Sequence, residues 1–249
     1  MPDNGTRVRP RTPMPRNEVR EDALTKFDEV TERFGDVKYM GEAQAAFLRD
    51  FIVKHELRDL LEIGFYQGKS SSYIAAILED RGGPGHLATL DRRSAKDRTP
   101  NIDQLLGELG LSHRVSPTFS ERSYTWELGR MIKSGKRELY DFCYFDGGHT
   151  WDFTGFGFVL VDMLLKPGGW IIFDDLDWTL DRSEARKAGH GDNDEYGEEE
   201  LSTPTVRMVF DTIVPYLGYD SLREKRKFHW GIARKPRGRV ARIRGRLPF

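Results

Sequence analysis

Short apolar segments alternate with helix-length segments through most of this chain, and this alternation constrains the fold more than any other feature. The apolar segments lie at residues 58–64, 85–91, 113–117, 140–146 and 169–175. Nearly continuous apolar strands that alternate with helices are typical of a parallel sheet covered by helices on both faces. The alternation therefore predicts an α/β fold with a doubly wound, mainly parallel, Rossmann-like sheet.

The C-terminal part of the chain is predicted to complete this sheet. A helix is expected near 205–216, and the segment 219–235, YDSLREKRKFHWGIARK, could add a C-terminal antiparallel hairpin. With the hairpin, the sheet would be seven-stranded. The Lys-Pro-Gly-Gly sequence at 166–169 is expected to form a turn that leads into the fifth strand.

The length of 249 residues favours one domain with short appendages. Residues 1–16 carry four prolines and four arginines without periodicity, and they are predicted to form a disordered basic arm. Residues 17–56 are predicted to form N-terminal helices that cover the site, residues 57–235 the sheet domain, and residues 236–249 a basic tail. The helices are expected at 17–34 and 42–55, the second with Ala43, Ala46, Phe47 and Phe51 facing inward.

The overall composition disfavours several classes of protein. A formal net charge of -1 gives no general attraction to nucleic acid or to a membrane surface, so neither is expected as a partner. The single cysteine, Cys143, cannot form an internal disulfide, which favours a reducing cytoplasm. No segment approaches the roughly 18 apolar residues that a membrane span needs. The acidic stretch 181–202 is too long for a simple connector, and it is expected to be either a lid or a disordered segment.

A glycine-containing turn follows the first predicted strand. Glu62, Gly64 and Gly68 stand at the carboxyl end of this strand, where doubly wound sheets bind their ligands. Their spacing lacks the Gly-x-Gly-x-x-Gly pattern of dinucleotide sites, and an acidic residue before the glycines suits a cofactor with a cationic amino group. Asp91 ends the second strand, where a carboxylate can accept hydrogen bonds from ribose hydroxyls. The alternative is that the glycines only form a turn and Asp91 only caps a helix.

Acidic residues also end the fourth and fifth predicted strands. Asp146, Asp174 and Asp175 should therefore converge at the same edge of the sheet. Carboxylates that lie together repel one another unless a cation is present, which predicts a divalent metal such as Mg2+. His149 could take a proton from a hydroxyl group, as a neutral imidazole can near neutral pH. The alternatives are that the aspartates cap loops and that His149 bonds the loop backbone.

These motifs together resemble the class I S-adenosylmethionine-dependent methyltransferases. The resemblance covers roughly residues 37–178 and is closest to the metal-dependent O-methyltransferases, both catechol-like and antibiotic- or sugar-modifying. It is carried by Glu62-Ile63-Gly64-Phe65-Tyr66-Gln67-Gly68-Lys69-Ser70, Asp91, Asp146-Gly147-Gly148-His149, the turn at 166–169 and Asp174-Asp175. In one departure, catechol-type enzymes often carry an amide at the position of Asp175.

The resemblance implies a set of residues for the cofactor, which would be S-adenosylmethionine bound by the domain 57–235. Glu62, Gly64, Tyr66 and Ser70 would surround its methionine part, Asp91 would hold the ribose, and Phe119 and Ser120 would lie near the adenine. Met40 would lie over the cofactor, and Phe65, Gly68 and Asp146 would also contact it. Asp146, Asp174 and Asp175 would bind the metal, and His149 and Asp146 would take part in catalysis.

The function that the sequence predicts is O-methylation of a hydroxyl group on a small molecule such as a sugar, a polyketide or a phenol. Two alternatives remain open. A nicotinamide-dependent oxidoreductase could use a similar sheet, and a non-catalytic module could keep the cofactor pocket while its basic tail recruits an anionic partner. Apolar faces on the N-terminal helices would suit a homodimer.

Overall fold

The computed structural model describes residues 24–187 and 196–238. The predicted disordered arm at 1–16 and the part of the basic tail after residue 238 lie outside the described residues. The strands are β1 Asp59–Ile63, β2 His86–Arg92, β3 Val115–Ser120, β4 Tyr140–Phe145, β5 Leu165–Phe173, β6 Asp220–Lys225 and β7 Trp230–Arg234. The helices are α1 Lys26–Phe34, α2 Glu42–Lys54, α3 Lys69–Arg81, α4 Ile102–Leu109, α5 Tyr124–Lys133, α6 Trp151–Leu164, α7 Glu184–Lys187, α8 Glu198–Ser202 and α9 Thr205–Tyr216.

The strands form one seven-stranded sheet in the order β3-β2-β1-β4-β5-β7-β6. Strands β1 to β5 pair in parallel, whereas β7 pairs antiparallel with both β5 and β6. The strand order reverses between β1 and β4, so the crevice at their carboxyl ends is the expected place for a ligand. The predicted doubly wound sheet with its C-terminal hairpin is thus confirmed.

Alternate residues of the central strands pack into two hydrophobic cores. Leu60 of β1 and Phe142 of β4 contribute to one core, and their neighbours Leu61 and Cys143 contribute to the other. Successive strand residues point to opposite faces, which explains this division. Helices α1 to α4 cover the first face, and α5, α6 and α9 cover the second. The helices on both faces thereby fix the positions of the strands, at whose carboxyl ends the candidate site lies.

The beginning of β5 differs from the prediction. The strand starts at Leu165, before the predicted turn at 166–169, and its pairing with β4 is interrupted. Tyr140 pairs with Leu165, but Phe142 pairs with Trp170, so extra residues bulge out of β5. Gly168 has a φ of +81°, which a residue without a β-carbon adopts most readily. The turn therefore lies inside the strand as a bulge.

The N-terminal helices pack on α3. The carboxylate of Asp80 accepts hydrogen bonds from the backbone nitrogens of Lys26 and Phe27, at 2.8 and 2.9 Å, and so holds the start of α1. Helix α2 confirms the helix predicted at 42–55, but the predicted inward face is partly wrong. Its buried residues are Ala45, Leu48 and Ile52, while Ala43 is exposed and Ala46, Phe47 and Phe51 are half-buried.

The reason for this difference is that α2 contacts two parts of the protein. Ala45, Leu48 and Ile52 face the core below the helix. Phe47 and Phe51 lie at the edge of this buried face and contact tryptophans of the sheet. The ring centroids of Phe47 and Trp230 on β7 are 5.8 Å apart, and those of Phe51 and Trp170 on β5 are 5.3 Å apart. Phe47 and Phe51 are therefore only half-buried because they pack at the side of α2 and not on its fully buried face.

The acidic stretch 181–202 is described only in part, because residues 188–195 lie outside the described residues. On either side of them, α7 and α8 are short helices. The expectation of a lid stays a prediction. No described helix is long and apolar enough to cross a membrane.

Candidate active site

The turn after β1 has a backbone that requires glycine at two positions. Gly64 and Gly68 have φ values of +83° and +96°, a region that other residues rarely adopt. A β-carbon on Gly64 would lie 1.9 Å from the backbone oxygen of Asp146, and one on Gly68 would lie 2.6 Å from the β-carbon of Ile102. The turn is thus pressed between the end of β4 and the start of α4.

The carboxylate of Asp91, at the end of β2, holds this turn. Its Oδ2 atom accepts hydrogen bonds from the backbone nitrogens of Phe65, at 3.0 Å, and Tyr66, at 2.7 Å. The backbone nitrogen of Gly64 donates to the carbonyl oxygen of Leu90 at 2.8 Å. The structure therefore brings Asp91 against the glycine turn, as expected for a residue near the cofactor, and also gives it a structural role. Its contact with a ribose stays a prediction.

Glu62 is a buried carboxyl group with an unsatisfied oxygen. Its Oε2 atom accepts hydrogen bonds from the hydroxyls of Ser71 and Thr89, the latter at 2.6 Å. Its Oε1 atom is buried without a hydrogen-bond partner among the described residues. Burial raises the pKa of Glu62 to about 7, against the opposing effect of its hydroxyl donors. A cationic group beside Oε1 would satisfy the oxygen and favour the ionised carboxylate.

This environment fits the amino group of S-adenosylmethionine. The remaining residues predicted to bind the cofactor surround the same turn. Phe65 packs edge-on against Phe119, with 5.5 Å between ring centroids. Ser120 donates to the backbone oxygen of Asp91 at 3.2 Å. Ser70 and Met40 are both buried, and Tyr39, which precedes Met40, packs on Tyr66 at 4.8 Å.

A second group of polar side chains lies at the ends of β4 and β5. Ligand atoms of Asp146, His149 and Asp175 all lie within 4.8 Å of one another. The Nε2 atom of His149 is 3.2 Å from Oδ2 of Asp175 and 3.8 Å from Oδ1 of Asp146. Two carboxylates and an imidazole are ligands that a divalent metal accepts. The group adjoins the glycine turn, because Gly64 contacts the backbone oxygen of Asp146.

Asp174 does not belong to this group of ligand atoms. Its carboxylate accepts hydrogen bonds from the hydroxyl of Tyr144, from Nε1 of Trp230 at 2.8 Å and from the backbone nitrogen of Asp175 at 2.7 Å. The structure thus brings Asp146 and Asp175 together with His149, while Asp174 is engaged by β4 and β7. The metal set predicted from the sequence, which includes Asp174, stays a prediction.

The carboxyl groups at this edge repel one another. Burial, together with the carboxylates of Asp174 and Asp175, raises the pKa of Asp146 well above its usual range. Burial and the neighbouring Asp175 raise the pKa of Asp174 to about 6, against the effect of its donors Tyr144 and Trp230. A cation at this position would lower the cost of ionising the carboxyl groups. The residues present therefore fit a divalent metal.

His149 is held from two sides. Its ring packs on the ring of Trp178 with 4.7 Å between centroids, and its backbone oxygen accepts a hydrogen bond from the hydroxyl of Thr205. Trp178 therefore lies beside the site, whereas Trp170 is buried in the core. Thr205 was not predicted as part of the site, and no local motif connects it with residue 149.

Sequence reasoning missed three further residues near the site. They are Tyr144 on β4, Trp230 on β7 and Arg98 in the loop after β2. Tyr144 could have been assigned to the same face of the sheet as Glu62, because successive residues of a strand point to opposite faces.

Comparison with protein families identifies the domain. Residues 61–176 match a family model described as a methyltransferase domain. This range contains the glycine turn, Asp91 and the acidic residues of β4 and β5. A search of curated protein sequences found no match to the chain.

Comparison with solved structures confirms the fold. The O-methyltransferase from Bacillus cereus in complex with SAH is 19% identical, with a TM-score of 0.58, over 87% of this chain and 94% of that chain. TomG, an O-methyltransferase from Streptomyces achromogenes involved in tomaymycin synthesis, solved with SAM, is 18% identical, with a TM-score of 0.57, over 87% of this chain and 90% of that chain. MycE, a methyltransferase of mycinamycin biosynthesis solved with Mg, SAH and mycinamycin VI, is 15% identical, with a TM-score of 0.54, over 86% of this chain and 56% of that chain.

The domain and the fold together define the class of protein as an α/β methyltransferase. The match of residues 61–176 to the methyltransferase domain confirms the prediction of a methyltransferase enzyme, and the solved structures confirm the fold that the resemblance to the class I S-adenosylmethionine-dependent methyltransferases implies.

Proposed function

We propose that this protein transfers a methyl group from S-adenosylmethionine to a hydroxyl oxygen of a small molecule, with the help of a divalent metal. The observation that carries the proposal is the contact between the glycine turn and the polar group of β4 and β5. Gly64 touches the backbone of Asp146, whose side chain lies beside His149 and Asp175. A methyl donor held by the turn and an acceptor held by the polar group would therefore be neighbours.

The cofactor would supply an activated methyl group, and the described residues would hold it by its charged and polar parts. Glu62 would accept from the amino group, since its Oε1 atom is buried without a partner among the described residues. Asp91 would accept from the ribose hydroxyls. Phe65, Gly68 and Ser70 of the turn, Phe119 and Ser120 of β3, and Met40 before α2 would complete the pocket.

A divalent metal would lower the pKa of a bound hydroxyl group and fix its position. Asp146 and Asp175 would hold the metal, with Asp174 as the third carboxylate predicted from the sequence. His149 would take the proton of the acceptor hydroxyl, because its imidazole lies beside the two carboxylates that would hold the metal. Mg2+ is the metal that this oxygen-rich set favours.

The acceptor class is proposed from two considerations. The polar group at β4 and β5 suits an acceptor with hydroxyl groups, such as a sugar, a polyketide or a phenol. TomG and MycE, which share the fold, take part in tomaymycin synthesis and mycinamycin biosynthesis. A role in natural-product biosynthesis is therefore part of the proposal. The buried free thiol of Cys143 is compatible with the predicted cytoplasmic location, and the homodimer stays a prediction.

The test is a transfer assay with S-adenosylmethionine that carries a labelled methyl group. Purified protein is incubated with Mg2+ and a panel of catechols, glycosides and hydroxylated polyketides, and labelled products are identified by mass spectrometry. We expect a labelled O-methyl product that disappears with Asp146→Asn. His149→Ala should slow its formation by about 100-fold or more, which is the usual contribution of a positioned base. Labelling of nitrogen or carbon atoms only would contradict the proposal.

A further inference from the structure

Arg98 lies on the glycine turn, although it belongs to the loop between β2 and α4. Its guanidinium carbon is 3.5 Å from the centroid of the Tyr66 ring, so the two groups are stacked. The loop is fixed beside the turn because the side-chain amide of Gln67 donates to the backbone oxygens of Thr99, at 3.1 Å, and Pro100, at 3.2 Å. Arg98 is thus held in place by its neighbours in the chain and by Tyr66.

The side chain of Arg98 contains a buried donor without an acceptor. Within residues 24–187 and 196–238, the buried side-chain atoms that lack a hydrogen-bond partner are Oε1 of Glu62 and Nε of Arg98. No carboxylate of the described residues forms an ion pair with Arg98, whereas Arg93 of the same loop pairs with Glu121 at 2.7 Å. A buried donor on a charged group is costly to leave unpaired, so this atom indicates a place for an anionic ligand group.

The two unsatisfied atoms belong to an acidic and a basic side chain, and both side chains adjoin the glycine turn. Glu62 precedes the turn, and Arg98 stacks on Tyr66 within it. Tyr39 packs edge-on against the Tyr66 ring, with 81° between the ring planes, so the aromatic ring under the guanidinium has an aromatic neighbour of its own. An acceptor for a cation and a donor for an anion therefore flank one turn of the backbone.

We propose that Arg98 binds the carboxylate of the methionine part of S-adenosylmethionine, while Glu62 binds its amino group. The proposal rests on the cofactor assignment made above. A guanidinium presents its donors in a plane that matches a carboxylate, and stacking on Tyr66 fixes the direction of that plane. Arg98 would thus select cofactors that carry an intact amino-acid end.

The test compares cofactor-related ligands with and without the amino-acid carboxylate, each measured in the wild type and in the variant. Binding of S-adenosylmethionine, S-adenosylhomocysteine, decarboxylated S-adenosylmethionine and methylthioadenosine is measured by calorimetry for the wild type and for Arg98→Gln. The matched control is Arg93→Gln, which removes the same charge from the same loop. We expect Arg98→Gln to weaken binding of the two carboxylate-bearing ligands by roughly 10-fold to 100-fold, the range for a hydrogen bond to a charged group.

The two ligands without a carboxylate should bind equally to the wild type and to Arg98→Gln, and Arg93→Gln should match the wild type with all four. Equal affinity of the wild type and Arg98→Gln for S-adenosylmethionine would overturn the proposal. Equal weakening of all four ligands would also overturn it, since Arg98 would then only support the turn. Failure of the wild type to bind either carboxylate-bearing ligand would overturn the cofactor assignment itself.

Discussion

The Oδ2 atom of Asp91 lies 2.7 Å from the backbone nitrogen of Tyr66. A side chain at the end of β2 therefore fixes the turn at the end of the neighbouring strand β1. The same carboxylate is predicted to accept from the ribose of the cofactor. Its two roles are compatible, because a carboxylate has several acceptor positions and Oδ1 accepts one backbone donor, from Arg92 at 2.6 Å.

Replacing Asp91 should therefore weaken cofactor binding. We expect Asp91→Ala to lower the affinity for S-adenosylhomocysteine by roughly 1–3 kcal/mol, the range for lost hydrogen bonds to a charged group. Calorimetric titration gives the value, with the exposed neighbour Asp97→Ala as the control. An unchanged affinity in Asp91→Ala would exclude Asp91 from the cofactor site.

Gly64→Ala should destabilise the fold more than a glycine substitution with a similar φ elsewhere. The β-carbon would meet the backbone oxygen of Asp146 at 1.9 Å, whereas one on Gly110, with a φ of +70°, meets no atom within 4 Å. We expect Gly110→Ala to lower the free energy of unfolding by about 1–2 kcal/mol, from the left-handed backbone alone. Gly64→Ala should lower it by roughly 3 kcal/mol or more, because its β-carbon also collides with the backbone. Urea unfolding measures both. Equal losses would show that the turn does not press on β4.

The buried carboxyl of Glu62 should make stability depend on pH. Its pKa is raised from 4.5 to about 7, so the folded protein binds a proton more tightly than the unfolded chain. The free energy of unfolding should therefore fall as pH rises from about 5 to about 8, by about 3 kcal/mol relative to Glu62→Gln. Denaturant unfolding of both proteins at the two pH values gives this difference. A pH dependence that Glu62→Gln leaves unchanged would contradict the assignment.

The meeting of these acidic residues at one edge of the sheet could be predicted from the sequence because of a simple property of parallel sheets. Glu62, Asp91, Asp146 and Asp175 each follow or end an apolar segment, and the carboxyl ends of parallel strands meet at one edge. The seven-stranded sheet followed from the same alternation together with the C-terminal hairpin. Periodicity alone was sufficient for these features.

The direction of individual side chains could not be predicted in this way. Asp174 and Asp175 are adjacent, and which of them faces His149 depends on Tyr144 and Trp230, which are distant in sequence. Asp175 adopts a φ of +56°, and no local pattern indicated this conformation. The unsatisfied donor of Arg98 was equally hidden, because it depends on packing against the turn.

Metal binding should depend on Asp146 and Asp175. Titration with Mn2+, followed by electron paramagnetic resonance, is expected to show a bound ion in the wild type and a strong loss of affinity in Asp146→Asn and Asp175→Asn. Asp177→Asn is the matched control, because this residue pairs with Arg207 and His229. Equal Mn2+ affinity in the wild type, Asp146→Asn and Asp175→Asn would contradict the metal site.

Asp174→Asn in the same titration separates two possible ligand sets. If Asp146, Asp174 and Asp175 all bind the ion, as predicted from the sequence, Asp174→Asn should lose Mn2+ binding. Retention of Mn2+ binding is expected if Asp146 and Asp175, which lie together beside His149, hold the ion without Asp174.

The most direct test of the account is whether the pocket built on the glycine turn takes S-adenosylmethionine or a dinucleotide. The wild-type protein is titrated by calorimetry with S-adenosylhomocysteine and, separately, with NAD. We predict saturable one-to-one binding of S-adenosylhomocysteine that releases protons below about pH 7, because ionised Glu62 replaces its protonated form. Saturable binding of NAD with no binding of S-adenosylhomocysteine would contradict the account.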